Sequence, residues 1–232
     1  MALFAIGDPH LSLDGSKPMT VFSGWDNHVE RLEKNWRNVV SPEDTVVIPG
    51  DLSWAMSLEQ AREDFAFLHR LPGQKLILKG NHDYWWCTRR KMEAFFEEQG
   101  FTSLHFVHND AVPVDGTMAV CGTRGWFFDA EEDADRKVLL REVGRLRTSI
   151  RAAKSTGLEP IAFLHYPPLY AGQTCPELIA VLLEEGIKRC YYGHIHSYGI
   201  RQAFNGVADG IEYRLISADA LSFCPQRIFP TL

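Results

Sequence analysis

Aspartate, asparagine and histidine recur in five short blocks, each at the end of an apolar run of the chain. These blocks are Asp8-Pro9-His10, Gly50-Asp51, Gly80-Asn81-His82-Asp83, His165 and Gly193-His194-Ile195-His196. In extended backbone, residues two apart point the same way, so Asp8 with His10, and His194 with His196, could each present a pair of ligand atoms. A single pair is weak evidence, because a lone histidine more often makes an ordinary hydrogen bond. Five blocks together indicate one polar site at strand ends, where open α/β sheets place their ligands.

The order of these blocks resembles that of the calcineurin-like metallophosphoesterase superfamily, whose pattern runs D-x-H, G-D, G-N-H-D/E, H and G-H-x-H. All five blocks are intact and extend from Asp8 to His196. The runs Pro49-Gly50-Asp51-Leu52-Ser53-Trp54 and Gly80-Asn81-His82-Asp83-Tyr84-Trp85-Trp86 further resemble a bacterial branch of predicted phosphohydrolases. The resemblance implies a metal-dependent phosphoesterase with its metal site at the carboxyl ends of the strands.

The resemblance also implies ligands for two metal ions. It assigns Asp8, His10 and His196 to one ion, Asn81, His165 and His194 to the other, and Asp51 as the bridge between them. Nitrogen and oxygen ligands of this kind suit divalent Mn, Fe or Zn better than calcium. Two such ions roughly 3.5–4 Å apart would activate a shared water, so that a bridging hydroxide attacks phosphorus in line.

Three further residues are candidates for catalysis or substrate binding. The resemblance places His82 beside the leaving-group oxygen, where it could donate a proton. Asp83 could orient the His82 ring or, as a turn carboxylate, bond nearby backbone. Arg124 follows a predicted strand and could bind a substrate phosphate with two hydrogen bonds, or form a surface ion pair.

Small and aromatic residues surround the same blocks. Gly50, Gly80 and Gly193 precede predicted ligands, as expected where the backbone turns sharply or comes close to a metal. The aromatic residues near the blocks are Trp54, Tyr84, Trp85, Trp86, Trp126 and Tyr166. Packing beneath the site is the favoured interpretation of these rings, and a stacking wall for a base or an aromatic ester is the alternative.

The elements that must position these residues alternate between strands and helices. Predicted strands cover residues 3–6, 45–48, 75–78, 118–121, 161–164, 189–192 and 211–216. Apolar stripes at helical spacing are Trp25, Val29, Leu32, Trp36 and Val39; Leu58, Ala61, Phe65 and Leu68; and Leu139, Val143, Leu146 and Ile150. This alternation predicts a layered α/β/α sandwich of the αββα type with mixed sheets, and residues 103–121 and 211–217 suggest antiparallel pairing. Segments 11–24, 108–117 and 123–135 are predicted surface loops.

Composition sets limits on the class of protein. The 232 residues are expected to form one domain, 1–232, and their formal charge of −6 disfavours broad attraction to nucleic acid or anionic membrane. The predicted helix near 138–154 carries a basic face, interpreted as solvated, with a nucleic-acid contact as the minority interpretation. Five scattered cysteines, no signal sequence and no membrane-spanning run favour a cytoplasmic protein.

The expected function is hydrolysis of a small phosphomonoester or phosphodiester. A nuclease is the enzymatic alternative, although the acidic chain shows no long basic track. A metal-bearing interaction scaffold without turnover is the alternative from another class of protein. The substrate, the native metals and the oligomeric state are left open by the sequence.

Overall fold

The computed structural model describes residues 1–126 and 133–229 of the chain. Its strands are β1 (Leu3–Ala5), β2 (Thr45–Pro49), β3 (Gln74–Leu78), β4 (Leu104–Phe106), β5 (Val112–Val114), β6 (Met118–Thr123), β7 (Glu159–Leu164), β8 (Leu169–Tyr170), β9 (Gln173–Thr174), β10 (Arg189–Tyr192), β11 (Gly206–Ala208), β12 (Ile211–Leu215) and β13 (Gln226–Ile228). Its α-helices are α1 (His28–Val39), α2 (Arg62–Arg70), α3 (Arg89–Gln99), α4 (Asp133–Ser155) and α5 (Pro176–Glu184), and 3-10 helices cover Met19–Val21 and Ser197–Gln202.

Two mixed sheets form the centre of the fold. The five-stranded sheet has the order β13-β1-β2-β3-β4, and the six-stranded sheet has the order β11-β12-β10-β7-β6-β5. The inner strands pair in parallel, while β13, β11 and β5 add antiparallel pairs at or near the edges. A β8-β9 hairpin forms a small separate sheet.

The two sheets pack face to face, with helices on their outer faces. In β2, Val47 belongs to the cluster between the sheets, whereas Val46 and Ile48 pack with residues of α1, α2 and α3. In β7, Phe163 faces the other sheet and Leu164 packs with residues of α4 and α5. Because both faces of these strands are buried, their sequences are nearly all apolar. This layering confirms the predicted αββα sandwich.

The predicted strands and helices all appear, with small shifts in their ends, and two loop predictions need correction. Segment 108–117 contains β5, which pairs with β6 at the edge of the six-stranded sheet. Pro113 has no backbone N–H to donate, and an edge strand tolerates this because it pairs on one side only. Segment 11–24 contains the 3-10 helix Met19–Val21. In segment 123–135, helix α4 begins at Asp133, and residues 127–132 lie outside the described part of the chain.

Basic residues on one face of α4 form ion pairs with residues at the end of α5. Arg147 forms an ion pair with Glu184 at 2.7 Å, and Arg151 and Lys154 pair with Glu185 at 2.9 and 3.1 Å. These contacts join α4 to the end of α5, and Arg151 and Lys154 remain 64% and 46% exposed, in keeping with the predicted solvated face. Among the described residues, no helix is long and apolar enough to cross a lipid bilayer.

Candidate metal centre

The five polar blocks follow five parallel strands whose carboxyl ends meet at one edge of the sandwich. β1, β2 and β3 of the five-stranded sheet lead into Asp8, Asp51 and Asn81, and β7 and β10 of the six-stranded sheet lead into His165 and His194. Backbone bonds join the two sheets here, since the Gly7 N–H donates to the Ile216 carbonyl at 2.7 Å and the Ala218 N–H donates to the Gly7 carbonyl at 2.9 Å. The candidate centre is therefore a seam between two sheets.

Side-chain nitrogen and oxygen atoms converge in two groups at this seam. His10 Nε2 lies 3.3 Å from His196 Nε2. Asn81 Oδ1 lies 2.6 Å from His165 Nε2 and 3.0 Å from His194 Nδ1, and those two ring nitrogens are 3.2 Å apart. The carboxylates extend each group, because the ligand atoms of Asp8, His10 and His196, and those of Asp51, His165 and His194, lie within 4.8 Å of one another.

The Asp51 carboxylate lies between the two groups. Its Oδ2 atom is 3.8 Å from His10 Nε2 and 3.6 Å from His165 Nε2. Its Oδ1 atom accepts a hydrogen bond from the His82 backbone N–H at 2.7 Å. One oxygen thus faces both groups while the other is fixed by backbone.

The charge of this site fits divalent cations. Asp8 and Asp51 are buried, and within the described chain only histidines lie within ion-pair distance of them. Burial opposes a charged imidazole at His165, yet Asp51 and Asp8 raise its pKa to about 9. Burial and the His165 charge lower the pKa of His194 to about 3, so this ring stays neutral. Two buried carboxylates beside imidazole rings form a donor set that fits a divalent ion, which would take the place of the His165 proton and neutralise the carboxylates.

Four of the converging residues have left-handed backbone. The φ angles are 55° at Asp8, 46° at His10, 50° at Asp51 and 72° at His194. The expectation that Asp8–His10 and His194–His196 converge through extended backbone is therefore wrong, because tight left-handed turns aim these side chains. Positive φ is uncommon outside glycine and costs free energy, so it persists where the surrounding fold and a function require it.

Glycine is required where these turns cross. Gly50 has a φ of 98°, and a Cβ there would lie 2.5 Å from the Gly80 backbone. A Cβ on Gly80 would overlap the Asp51 carboxylate, and one on Gly193 would lie 2.5 Å from Asp8 Oδ2. The predicted role of these glycines agrees with this close approach of backbone to the buried carboxylates.

Asp83 accepts hydrogen bonds from backbone N–H groups, and these contacts favour its interpretation as a turn carboxylate over its predicted catalytic role of orienting His82. Its buried carboxylate accepts hydrogen bonds from the N–H groups of Asp51 and Leu52 at 2.9 Å and of Gly80 at 2.7 Å. His82 Nδ1 instead lies 3.2 Å from the Tyr84 hydroxyl. Burial and the nearby Asp51 raise the pKa of Asp83 to about 7. The turns after β2 and β3 leave several N–H groups in the interior that need acceptors, and the Asp83 carboxylate supplies them.

Arg124 lies between Glu142 and Trp126. Its guanidinium is 3.8 Å from the buried Glu142 carboxylate and stacks over the Trp126 ring at 4.7 Å. Its carbonyl accepts hydrogen bonds from the backbone N–H groups of His165, at 3.1 Å, and Tyr166, at 2.8 Å. These contacts favour the ion-pair interpretation and give Arg124 a supporting position behind His165.

Two carboxylates that support the centre were not predicted from the sequence. Asp219 Oδ1 lies 2.8 Å from His196 Nδ1, and its Oδ2 accepts the Ser197 N–H at 2.9 Å. Asp64 accepts the Leu13 N–H at 2.9 Å and a short hydrogen bond from the Ser53 hydroxyl. The position of Asp219 soon after the end of β12 is the sequence signal that could have identified it. Asp64 lies within a helix, and no comparable signal marks it.

The aromatic residues divide into two sets. Trp54 lies on the site, stacked on His10 with ring centroids 4.9 Å apart and 4.4 Å from the His82 ring. Trp85 lies in the core against Phe65, and Trp86 packs on Phe106. The His82 ring is half-buried, and burial lowers its pKa. Trp54 and His82 form one wall of the candidate centre.

Comparisons with known proteins extend this description. A family model for calcineurin-like phosphoesterases matches residues 1–198. The chain is similar in structure to phosphopantetheinyl hydrolase from Mycobacterium tuberculosis, with 15% identity, a TM-score of 0.54 and coverage of 99% of this chain and 96% of that one. A protein of unknown function from Aquifex aeolicus aligns with 17% identity, a TM-score of 0.49 and coverage of 97% and 95%. No curated protein matches the sequence.

Proposed function

The chain belongs to the calcineurin-like phosphoesterase family, and on this premise we propose that it hydrolyses a small phosphate ester with the help of two divalent transition-metal ions. The observation that carries the proposal is the position of Asp51, whose Oδ2 atom faces both His10 and His165 within 4 Å. A carboxylate shared by two nitrogen-rich groups is the arrangement that two neighbouring cations require.

The proposal assigns one group of side chains to each ion. Asp8, His10 and His196 would hold one ion, Asn81, His165 and His194 the other, and Asp51 both. When bound, ions of this class supply an activated water and polarise the phosphoryl group. Manganese, iron and zinc all suit these ligands, and thiolate ligands are lacking in both groups.

The protein's own residues then have separate tasks. The Pro49 carbonyl, 3.2 Å from His165 Nδ1, fixes the tautomer that leaves Nε2 free for the centre. The Asp219 carboxylate does the same for His196. His82 donates a proton to the leaving oxygen, and its Nδ1 contact with Tyr84 orients the ring for that transfer.

Two other functions receive less support. A nuclease would need a basic track along the site, whereas the chain carries a formal charge of −6 and the basic face of α4 is paired with α5. A scaffold without turnover would not require His82 to lie beside the centre.

We also propose one catalytic domain over residues 1–232 and a cytoplasmic location, the latter in keeping with five unpaired cysteines.

The test is turnover of p-nitrophenyl phosphate and bis-p-nitrophenyl phosphate by metal-free and Mn²⁺-reconstituted protein. We expect activity only with metal, and the preferred ester separates a monoesterase from a diesterase. Asp51→Asn should abolish measurable turnover, and His82→Ala should lower kcat by about 10²- to 10⁴-fold while Mn²⁺ binding persists.

Matched controls separate these effects from general damage. Asp209→Asn changes an exposed hairpin aspartate beside Gly210, where asparagine suits the same turn, and His105→Ala removes an exposed histidine of β4. Both variants should retain full activity. Tight Mn²⁺ binding without turnover of either ester, of a nucleotide panel or of a phosphopantetheinyl ester would instead support the scaffold.

A further inference from the structure

A cavity of about 220 Å³ opens beside the candidate centre. We call it the Trp25–Trp54 pocket. Residues of the segment before α1 form one side of it, and residues of the centre form the other. Its main lining residues are Met19, Phe22, Trp25, Trp54, His82 and His196.

The inner part of this pocket is apolar and well fixed. Met19 and Trp25 are buried, and the Trp25 ring packs edge-on against His10, His196 and Phe223. The Trp54 indole N–H lies 3.2 Å from Met19 Sδ, so the one polar atom of that ring is already engaged. Phe22 stands at the rim with 49% of its surface exposed. The polar lining is concentrated on the wall that carries the histidines.

The pocket has room for one ring. A buried apolar cavity of about 150 Å³ is sufficient to bind benzene, and 220 Å³ gives room for a substituted ring. Aromatic walls favour a planar guest, because rings pack edge-to-face or in offset stacks.

The position of the pocket identifies the part of the substrate that would enter it. Trp54 lies 4.4 Å from the ring of His82, the residue proposed to protonate the leaving oxygen. A group attached to that oxygen would therefore extend into the pocket when the phosphoryl group lies at Asp51.

We propose that the Trp25–Trp54 pocket binds the organic leaving group of the substrate and selects a compact aromatic group over small alkyl or sugar groups. The inference rests on the proposed phosphoesterase function and deepens it by naming the substrate class. It also assigns Phe22, Trp25 and Trp54 to specificity rather than to chemistry.

The test compares benzyl phosphate with ethyl phosphate on the Mn²⁺-loaded protein, with the benzyl methyl and ethyl methyl diesters alongside. All four release a primary alkoxide from the ester of interest, so the comparison reports the pocket more than the leaving group's reactivity. We expect kcat/KM to be at least tenfold higher for the benzyl esters. Phe22→Ala should reduce that preference about fivefold.

Val21→Ala is the matched control, because Val21 is adjacent in sequence, 73% exposed and outside the pocket lining. It should leave the benzyl preference unchanged. Equal kcat/KM for benzyl and ethyl esters, or a benzyl preference that Phe22→Ala does not reduce, would overturn the proposal.

A binding measurement distinguishes this failure from failure of the proposed function. Titration calorimetry with benzylphosphonate and ethylphosphonate needs no turnover. If no ester is hydrolysed but benzylphosphonate binds at least tenfold more tightly and Phe22→Ala removes the difference, the pocket stands and the phosphoesterase proposal fails. Equal binding of the two phosphonates would refute the pocket whether or not esters are hydrolysed.

Discussion

The two halves of the sandwich contribute to the centre in different ways. The five-stranded half supplies both carboxylates, Asp8 and Asp51, and the buried Asp83 holds backbone N–H groups of the turns after β2 and β3. The six-stranded half supplies rings, and His165 and His196 are held through Nδ1 by a carbonyl and by Asp219. The first half therefore fixes backbone and the second fixes ring orientation. Damage to the first should cost stability and metal binding together, and damage to the second should mainly cost metal affinity.

Asp83→Asn should give the largest effect, because it breaks the support of the five-stranded half. An amide cannot accept from all the N–H groups that the carboxylate satisfies, and each buried donor left without a partner costs about 1–3 kcal/mol. We expect the free energy of unfolding to fall by roughly 3–5 kcal/mol and Mn²⁺ affinity to fall with it. Urea denaturation and metal titration measure both.

Asp115→Asn is the control for that substitution, since Asp115 accepts backbone N–H groups in a surface turn near Thr117. It should change the unfolding free energy by less than about 1 kcal/mol. If Asp83→Asn lost metal affinity at unchanged stability, the distinction between the halves would fail.

Gly80→Ala and Gly193→Ala place a methyl group against Asp51 and Asp8 respectively. Displacement of a ligand by about 1 Å costs roughly a hundredfold in activity, so kcat/KM for p-nitrophenyl phosphate should fall at least that far in each variant. The expected loss is greater for Gly80→Ala, because its methyl group would overlap the shared carboxylate.

Gly144→Ala is the matched control, as this exposed glycine of α4 has open space around its Cβ position. It should keep full activity and gain about 0.5–1 kcal/mol of stability from helix propensity. Equal activity in Gly80→Ala and Gly144→Ala would show that the close approach at Asp51 is not required.

Asp219→Asn tests the six-stranded half. Loss of the carboxylate beside His196 Nδ1 should weaken Mn²⁺ binding by roughly ten- to a hundredfold. The unfolding free energy of the metal-free protein should stay within about 1 kcal/mol of wild type. Asp209→Asn is the control, and a loss of stability as large as that of Asp83→Asn would erase the contrast between the halves.

Asp64→Asn should give the smallest effect, visible as a change in pH dependence. Burial raises the pKa of Asp64 to about 6, above its ordinary value of 3.8. The native state therefore binds the proton more tightly than the unfolded state, and the contribution of Asp64 to wild-type stability should fall as pH rises from about 4 to 6. The variant lacks this pH-dependent contribution to the free energy of unfolding, which is on the order of 1 to 2 kcal/mol. Unfolding of metal-free protein at several pH values in this range measures the difference, and parallel curves for both proteins would contradict it.

Much of the fold could be predicted, because the spacing of apolar residues and the extent of a strand depend on neighbouring residues in the sequence. β2, β3 and β7 stand out as apolar runs, since both their faces are buried. Strand β13 carries no such signal, because Gln226 and Arg227 are among its three residues and its place beside β1 depends on a distant pairing. The short edge strand β5 was hidden by Pro113.

The site could be predicted as a set of residues but not as a geometry. Residue types and order pointed to the converging groups, whereas the positive φ angles of Asp8 and Asp51 arise from packing between turns. The support from Asp64 depends on a tertiary contact between α2 and the turn after β2. No local pattern could report that contact.

The path from β12 to β13 has a consequence for biosynthesis. The chain leaves the six-stranded sheet at Leu215, passes through Asp219 and ends its crossing beside β1, where Ile228 is opposite Leu3. A ribosome therefore delivers Asp8 and Asp51 long before it delivers His194, His196 and Asp219. The full set of candidate ligands therefore exists only after this crossing segment has emerged, although His10 and His165 are synthesised earlier. The centre is thus completed by a segment that lies far along the chain from its two carboxylates.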